Sequence, residues 1–181
     1  MMDPFSIAAQ LLLGWLIADL LSGFFHWLED RVLWIGMPLI SRAIVEPNRL
    51  HHRDPDAFLA QSLFARNSTT WTAVAAIALL WLWLAGFGWV WLGALAGGLA
   101  VTEVHVRAHR RVPRSSIYRA LMDIGIVQST PHHWGHHTAA MDGRYCVLTG
   151  WLNPILDRAR LWTRLERALE AIGFTPNRGA A

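Results

Sequence analysis

Two long apolar runs limit what this chain can fold into. The first extends from Phe5 to Leu28 and is interrupted by a single charge, Asp19; the second, residues 71–102, has 32 residues without one. At about 1.5 Å per residue, roughly 20 residues cross the ~30 Å hydrocarbon core of a bilayer. Inside lipid the backbone must satisfy its own hydrogen bonds, which favours helices. The Gly86-Phe87-Gly88 break divides the second run into a tight hairpin. The spacing therefore predicts an all-α membrane protein with spans at about 5–28, 67–85 and 88–109, in a single domain covering residues 1–181. The N-terminus, MMDPFS, lacks the basic stretch of a signal peptide, so the first run is expected to stay as a span.

Charge placement predicts an orientation. All 16 basic residues are Arg, and none falls in the N-terminal stretch or at the 86–88 tip. By the positive-inside rule the arginine-bearing side is cytoplasmic and the N-terminus outside. Every histidine then falls on the cytoplasmic side or at a cytoplasmic span end. The formal net charge of +3 fits an anionic membrane surface. No basic groove with interleaved aromatics appears, which argues against nucleic acid. Eleven tryptophans suit membrane–water interfaces. The lone Cys146 excludes an internal disulfide and a cysteine metal cage. Abundant Ala and Arg with no Lys points to a GC-rich bacterium, hence a bacterial cytoplasmic membrane.

The polar segments are 29–66, broken by Pro38, Pro47 and Pro55, and 110–150, with a short amphipathic piece at Ile117–Val127. Over 154–172, apolar residues recur at Ile155, Ala159, Trp162, Leu165, Leu169 and Ile172. That spacing predicts one amphipathic helix lying in the membrane interface; a helix packed on the rest of the protein would have the same pattern. Residues 175–181 read as a disordered tail.

Nine histidines fall in four groups: His26; His51 and His52; His105 and His109; and His132, His133, His136 and His137. A lone histidine is usually an ordinary surface or core residue, but nine so grouped suggest ligands. His105 and His109 are four apart and share a helix face. His133, His136 and His137 form an HxxHH spacing, in which one helical turn brings His133 and the pair to one face while the second of the pair, His137, points to a neighbouring site. That makes His132 the most readily spared of the nine. Neutral imidazole suits Zn, Cu, Fe or Ni. Four ligands saturate a zinc site, so eight or nine imply two ions. Carboxylates are few, which favours an all-imidazole or nearly all-imidazole dimetal site over a glutamate-rich one. Haem is the alternative, though it would leave most of the histidines unused.

Other polar residues have two readings each. Asp19 shares a helix face with Gly23 and His26 and is expected to orient a ligating histidine, or else to be a carboxyl held neutral by burial. Asp30 or Asp54 could orient His26 or His51, or simply be exposed. Asn67 completes a metal shell or caps a helix. Arg49, Arg53, Arg107 and Arg110 flank the histidine groups and could hold a lipid phosphate, although the positive-inside pattern accounts for them equally well.

The stretches "ADLLSGFFHW" (18–27), "NRLHHRDP" (48–55), Asn67, "HVRAH" (105–109), "HHWGHH" (132–137) and "YCVLTGWLN" (145–153) carry a resemblance. In this order they resemble the histidine-rich membrane lipid desaturases, specifically the plasmanylethanolamine desaturase family. The resemblance runs from about Ile17 to Arg178. The chain departs from that family in lacking a Trp-Ser pair between His105 and His109 and in having Glu103 where a Gln is expected.

The resemblance implies two non-haem irons with O2 as co-substrate. Two hydrogens leave neighbouring carbons of a membrane phospholipid, a double bond forms, and O2 ends as water. An electron donor such as cytochrome b5 or ferredoxin, with its reductase, supplies two electrons. The nearest activity makes the vinyl ether of a plasmalogen from a 1-O-alkyl lipid. A related branch desaturates an acyl chain of phosphatidylglycerol close to the headgroup. Rival readings are a hydroxylase on the same scaffold and a non-enzymatic membrane metal or haem protein.

Overall fold

The computed structural model describes residues 3–110, 115–138 and 142–177. Three helices are long and apolar enough to cross a membrane: α1 (Pro4–Arg31), α4 (Leu63–Ala85) and α5 (Trp89–His109). Between and after them come α2 (Glu46–Arg53), α3 (Pro55–Leu59), α6 (Ser116–Asp123), α7 (Thr130–Thr138), α8 (Leu152–Arg158) and α9 (Leu161–Ala171). A π-helical turn, Ser41–Val45, leads into α2.

Local chemistry sets the span limits. Asp3 caps α1 by accepting the Ser6 N–H at 3.0 Å, and Pro4 follows at the first helical position. At its other end α1 continues past Leu28 to Arg31, so Asp30 lies on the helix with His26. Ser62 caps α4 by accepting the Ala65 N–H at 3.2 Å, which places Asn67 inside the helix rather than at a cap. Gly86, at φ +74°, ends α4 in a conformation that favours glycine.

α1 and α5 pack side by side, running in the same direction. Gly14 faces the backbone of Val90 and Gly93, Gly93 faces the backbone of Leu11, and Gly97 faces Ala18 and Leu148. These small residues let the helices approach where lipid gives little hydrophobic drive for association. The parallel arrangement brings the C-terminal ends of both helices, with His26, Asp30, His105 and His109, to one end of the bundle. α4 returns antiparallel to α5, held by the Trp71 Nε1–H to the Leu99 carbonyl (3.2 Å) and the Trp91 Nε1–H to the Ala78 carbonyl (3.0 Å). Its outer face exposes Leu79, Leu80, Trp83 and Leu84, as expected of a face meeting lipid.

The C-terminal region differs from the single helix expected over 154–172. Arg160 adopts φ +53°, which breaks that stretch into α8 and α9. The break shifts the phase of the apolar stripe. Ile155 and Ile172 are exposed, whereas Trp162 and Glu166 are buried. Trp162 joins Trp27, Tyr145 and Cys146 in a small core. The Arg31 Nε–H donates to Glu166 at 2.7 Å, tying α9 to the end of α1, and the Arg31 carbonyl accepts the Asn177 N–H at 2.7 Å. The inner face of α9 is therefore a protein contact. Residues 175–177 are described, with Asn177 bonded in this way; 178–181 lie outside the described residues.

Candidate metal centre

Four elements converge at one end of the bundle. α1 contributes His26 and Asp30, α2 contributes His51 and His52, α5 contributes His105 and His109, and α7 contributes His133, His136 and His137. Their ligating atoms fall into two groups, each with all members within 4.8 Å of one another. One group is His51, His105, His109, His133 and His137; the other is His26, Asp30, His52 and His136. Adjacent residues point to different groups: His51 and His52 are split between them, as are His136 and His137, and it is His136 rather than the expected His137 that leaves the group of His133, because residues four apart share a helix face more closely than residues three apart here. Consecutive helical residues project about 100° apart, so a short helix wedged between two sites serves both. The groups adjoin, with the His52 and His137 rings 4.9 Å apart.

The ring nitrogens themselves provide a test of whether a cation fits. His133 Nε2 lies 3.0 Å from His105 Nε2, 2.7 Å from His109 Nε2 and 3.0 Å from His137 Nε2. A ring nitrogen carries either one hydrogen or one lone pair, so hydrogen bonds cannot satisfy three such neighbours at once. Nitrogens about 2.1 Å from a shared ion would stand roughly 3.0–3.4 Å apart. Both nitrogens of buried His51 lack a hydrogen-bond partner. Burial, reinforced by neighbouring imidazoles, holds His51, His133 and His137 well below the usual histidine range. They are thus neutral, as a metal ligand must be.

In the second group Asp30 is the centre. Its Oδ1 lies 2.9 Å from His52 Nε2, and its Oδ2 lies 3.2 Å from His136 Nε2 and 3.8 Å from His26 Nε2. The far nitrogens are fixed by backbone. His26 Nδ1–H donates to the Tyr145 carbonyl (3.1 Å) and His136 Nδ1–H to the Gly143 carbonyl (2.8 Å). Both rings therefore present a lone pair on Nε2 towards Asp30. The Asn48 Nδ2–H donates to Asp30 Oδ1 at 2.7 Å.

Several expected residues sit elsewhere. His132 belongs to neither group; its Nε2 accepts from the Asn153 amide at 2.9 Å. Asp19 bonds no imidazole. It accepts the Leu148 N–H at 2.8 Å and the Thr149 hydroxyl at 2.5 Å, fastening the 145–149 segment that carries the Tyr145 carbonyl. Asn67 also touches no histidine: its amide donates to the Leu63 carbonyl and to Glu103, each at 2.8 Å, and Glu103 pairs with Arg66 at 2.7 Å. The Arg107 guanidinium lies over the Tyr118 ring, 5.2 Å from its centroid. Asp30 as a candidate ligand is what the sequence reading missed. The signal was there, since Asp30 follows His26 by the same four residues that separate His105 and His109.

A cavity of about 270 Å³ opens between α1, α4 and α5. His26 and His105 line one end, and Trp81 and Trp91 lie furthest along α4 and α5 from those rings. Between them the walls are mostly apolar, including Phe25, Val74, Ile77 and Leu95. From Thr69 to Trp81, α4 rises about 18 Å, close to one bilayer leaflet. None of Arg49, Arg53, Arg107 and Arg110 lines it.

An all-α bundle with three helices long and apolar enough to cross a membrane, and two adjoining histidine-rich groups able to hold metal ions at one end of an apolar cavity, defines the class of protein. Residues 15–178 match the lipid desaturase domain, and the chain belongs to that family. It is 29% identical over 178 residues to a plasmanylethanolamine desaturase of Myxococcus xanthus, covering 94% of this chain and 63% of the relative. It is 30% identical over 170 residues to a probable fatty acid desaturase of Acanthamoeba polyphaga mimivirus, covering 89% and 81% respectively. A chloroplastic fatty acid desaturase 4-like protein of Arabidopsis thaliana is 31% identical over 170 residues, with coverages of 91% and 57%. The chain thus spans under two thirds of the first and third of these relatives. No solved structure matches.

Proposed function

We propose that this chain is an O2-dependent di-iron desaturase that introduces the vinyl-ether double bond into the 1-O-alkyl chain of plasmanylethanolamine. The observation that carries the reading is the meeting of two ligand groups with one end of a long apolar cavity, at His26 and His105. Two irons, when bound, supply the activation of O2 that C–H removal requires. The net change removes one hydrogen from each of two adjacent carbons. With O2, two electrons and two protons, it yields one double bond and two waters.

The chain's own residues position and exclude. His51, His105, His109, His133 and His137 hold one ion; His26, Asp30, His52 and His136 hold the other. The Tyr145 and Gly143 carbonyls fix the His26 and His136 rings, and Asp19 secures the strap that carries Tyr145. The apolar walls seat the alkyl chain and keep water from the reacting carbons. Electrons come from a donor such as cytochrome b5 or ferredoxin with its reductase. The arginine distribution supports a site on the cytoplasmic side, with the α4–α5 tip and the N-terminus opposite, and the Lys-free composition supports a bacterial membrane. The plant relative's name, a fatty acid desaturase, supports a second reading, desaturation of an acyl chain, which the family resemblance would put near a phospholipid headgroup.

The test is expression of wild type and His136→Ala in a host that lacks plasmalogens, fed an alkyl-ether lipid and supplied with iron and a working donor. Acid-labile vinyl ether detected by lipid mass spectrometry in the wild type alone is the expected result. A new double bond confined to acyl chains moves the assignment to the second reading, and unchanged lipids sink both.

A further inference from the structure

Besides its imidazoles, the cavity is lined among the described residues by one ionisable side chain, Glu29. Glu29 lies three residues beyond His26 on α1, about 4.5 Å further along the helix axis and away from the tryptophan end. Among the described residues, Arg31 pairs with Asp142 and Glu166, Arg66 pairs with Glu103, and no cation pairs with Glu29. A carboxylate facing an apolar cavity without a counter-charge is costly. Asn48 lines the same part of the cavity. Its amide nitrogen is committed to Asp30, which leaves its carbonyl oxygen as an acceptor. This end of the cavity therefore offers oxygen acceptors and, in Glu29, a carboxyl with no cation beside it among the described residues.

We propose that Glu29, with Asn48, forms the subsite for a headgroup ammonium, and that Glu29 selects amine-bearing lipids over anionic ones. The inference rests on reading the cavity as the lipid site. An ammonium brings three N–H donors and the missing positive charge. A phosphoglycerol headgroup brings hydroxyls and a net negative charge that Glu29 repels. A headgroup held at the Glu29 end leaves the attached chain to run past His26 and His105 towards Trp81 and Trp91.

The test measures binding, so it does not depend on turnover. Purified full-length protein in lipid nanodiscs is equilibrated with two 1-O-alkyl lysophospholipids of the same chain length, one with phosphoethanolamine and one with phosphoglycerol, and retention is read by native mass spectrometry. Wild type is expected to prefer the amine lipid roughly tenfold, the scale of one charge-assisted contact, and Glu29→Gln to lose that preference while keeping the chain contacts. A third probe, the N-acetylated phosphoethanolamine lipid, removes the positive charge and two of the three N–H donors; it should bind wild type about tenfold more weakly than the free amine, and Glu29→Gln should narrow that gap. Equal binding of free and acetylated amine, or an unchanged preference in Glu29→Gln, overturns the proposal. Vinyl-ether formation is assayed separately on the same lipids. Headgroup selectivity without a new double bond would sink the desaturase reading and leave the Glu29 subsite standing; a double bond without selectivity would do the reverse.

Discussion

His133 sits at the centre of the first ligand group, with three imidazole nitrogens within 3.0 Å of its Nε2. His132, one residue away, accepts a single hydrogen bond from Asn153. The two substitutions should therefore separate cleanly. His133→Ala is expected to lower bound iron from two to one per chain and to abolish product. His132→Ala should keep both irons and reduce turnover by about tenfold, through loosening of Asn153 and the Cys146 backbone it clamps. Iron content measured beside vinyl-ether yield checks both; equal iron loss in the two variants would refute the division. Asp30→Asn tests the second group in the same way, with iron again expected to fall to one per chain. At this scale the sequence was legible in kind but not in sorting. Residue type and four-residue spacing marked eight of the histidines that converge. Which ion each one faces depends on how α2 and α7 wedge between α1 and α5, and no spacing rule encodes that. Asp19 shows the same limit, because its partners at Leu148 and Thr149 are some 130 residues away along the chain.

At the scale of elements, the site depends on how closely two helices approach. A Cβ at Gly93 would run into the backbone of Leu11, and one at Gly14 into that of Val90. Backbone cannot rotate aside as a side chain can, so Gly93→Ala must push α1 and α5 apart. Overpacking of this kind costs about 1–3 kcal/mol. The variant should melt at a lower temperature than wild type and lose iron on mild heating, because His26 and Asp30 move with α1 while His105 and His109 stay with α5. Thermal unfolding with iron release followed in parallel checks this, and an unchanged melting curve would contradict the close-packed interface. The spans were readable in advance because lipid demands length and hydropathy, both of which are local properties. The break at Arg160 was not. A periodic apolar stripe says nothing of one left-handed residue that shifts its phase, so the face of α8 and α9 that meets Trp27 and Tyr145 emerged only with the tertiary contacts.

At the scale of the whole molecule, the cavity joins chemistry at one end to a limit at the other. The Trp91 indole donates to the Ala78 carbonyl at 3.0 Å, and so lies between α5 and α4 where the cavity ends. On the proposed reading, a chain entering from the histidine end runs along the cavity until its terminal methyl reaches Trp81 and Trp91. Each further methylene that finds a place out of water contributes about 0.8 kcal/mol, so room for two shifts a preference by roughly tenfold. Trp91→Ala removes the indole together with its hydrogen bond to α4, extending the cavity towards the Gly86–Gly88 tip. Leu95, one turn above it, remains in place. The expected outcome is unchanged bond position with a product distribution moved towards alkyl chains two carbons longer, read by lipid mass spectrometry on a mixed-length feed. Bond position is the informative control. It is set by the distance from the headgroup to His26 and His105, not by the floor, so only chain length should move. Were the bond to migrate along the chain instead, the alkyl chain would be registered from its methyl end, and the seating proposed for the headgroup beside Glu29 would be wrong.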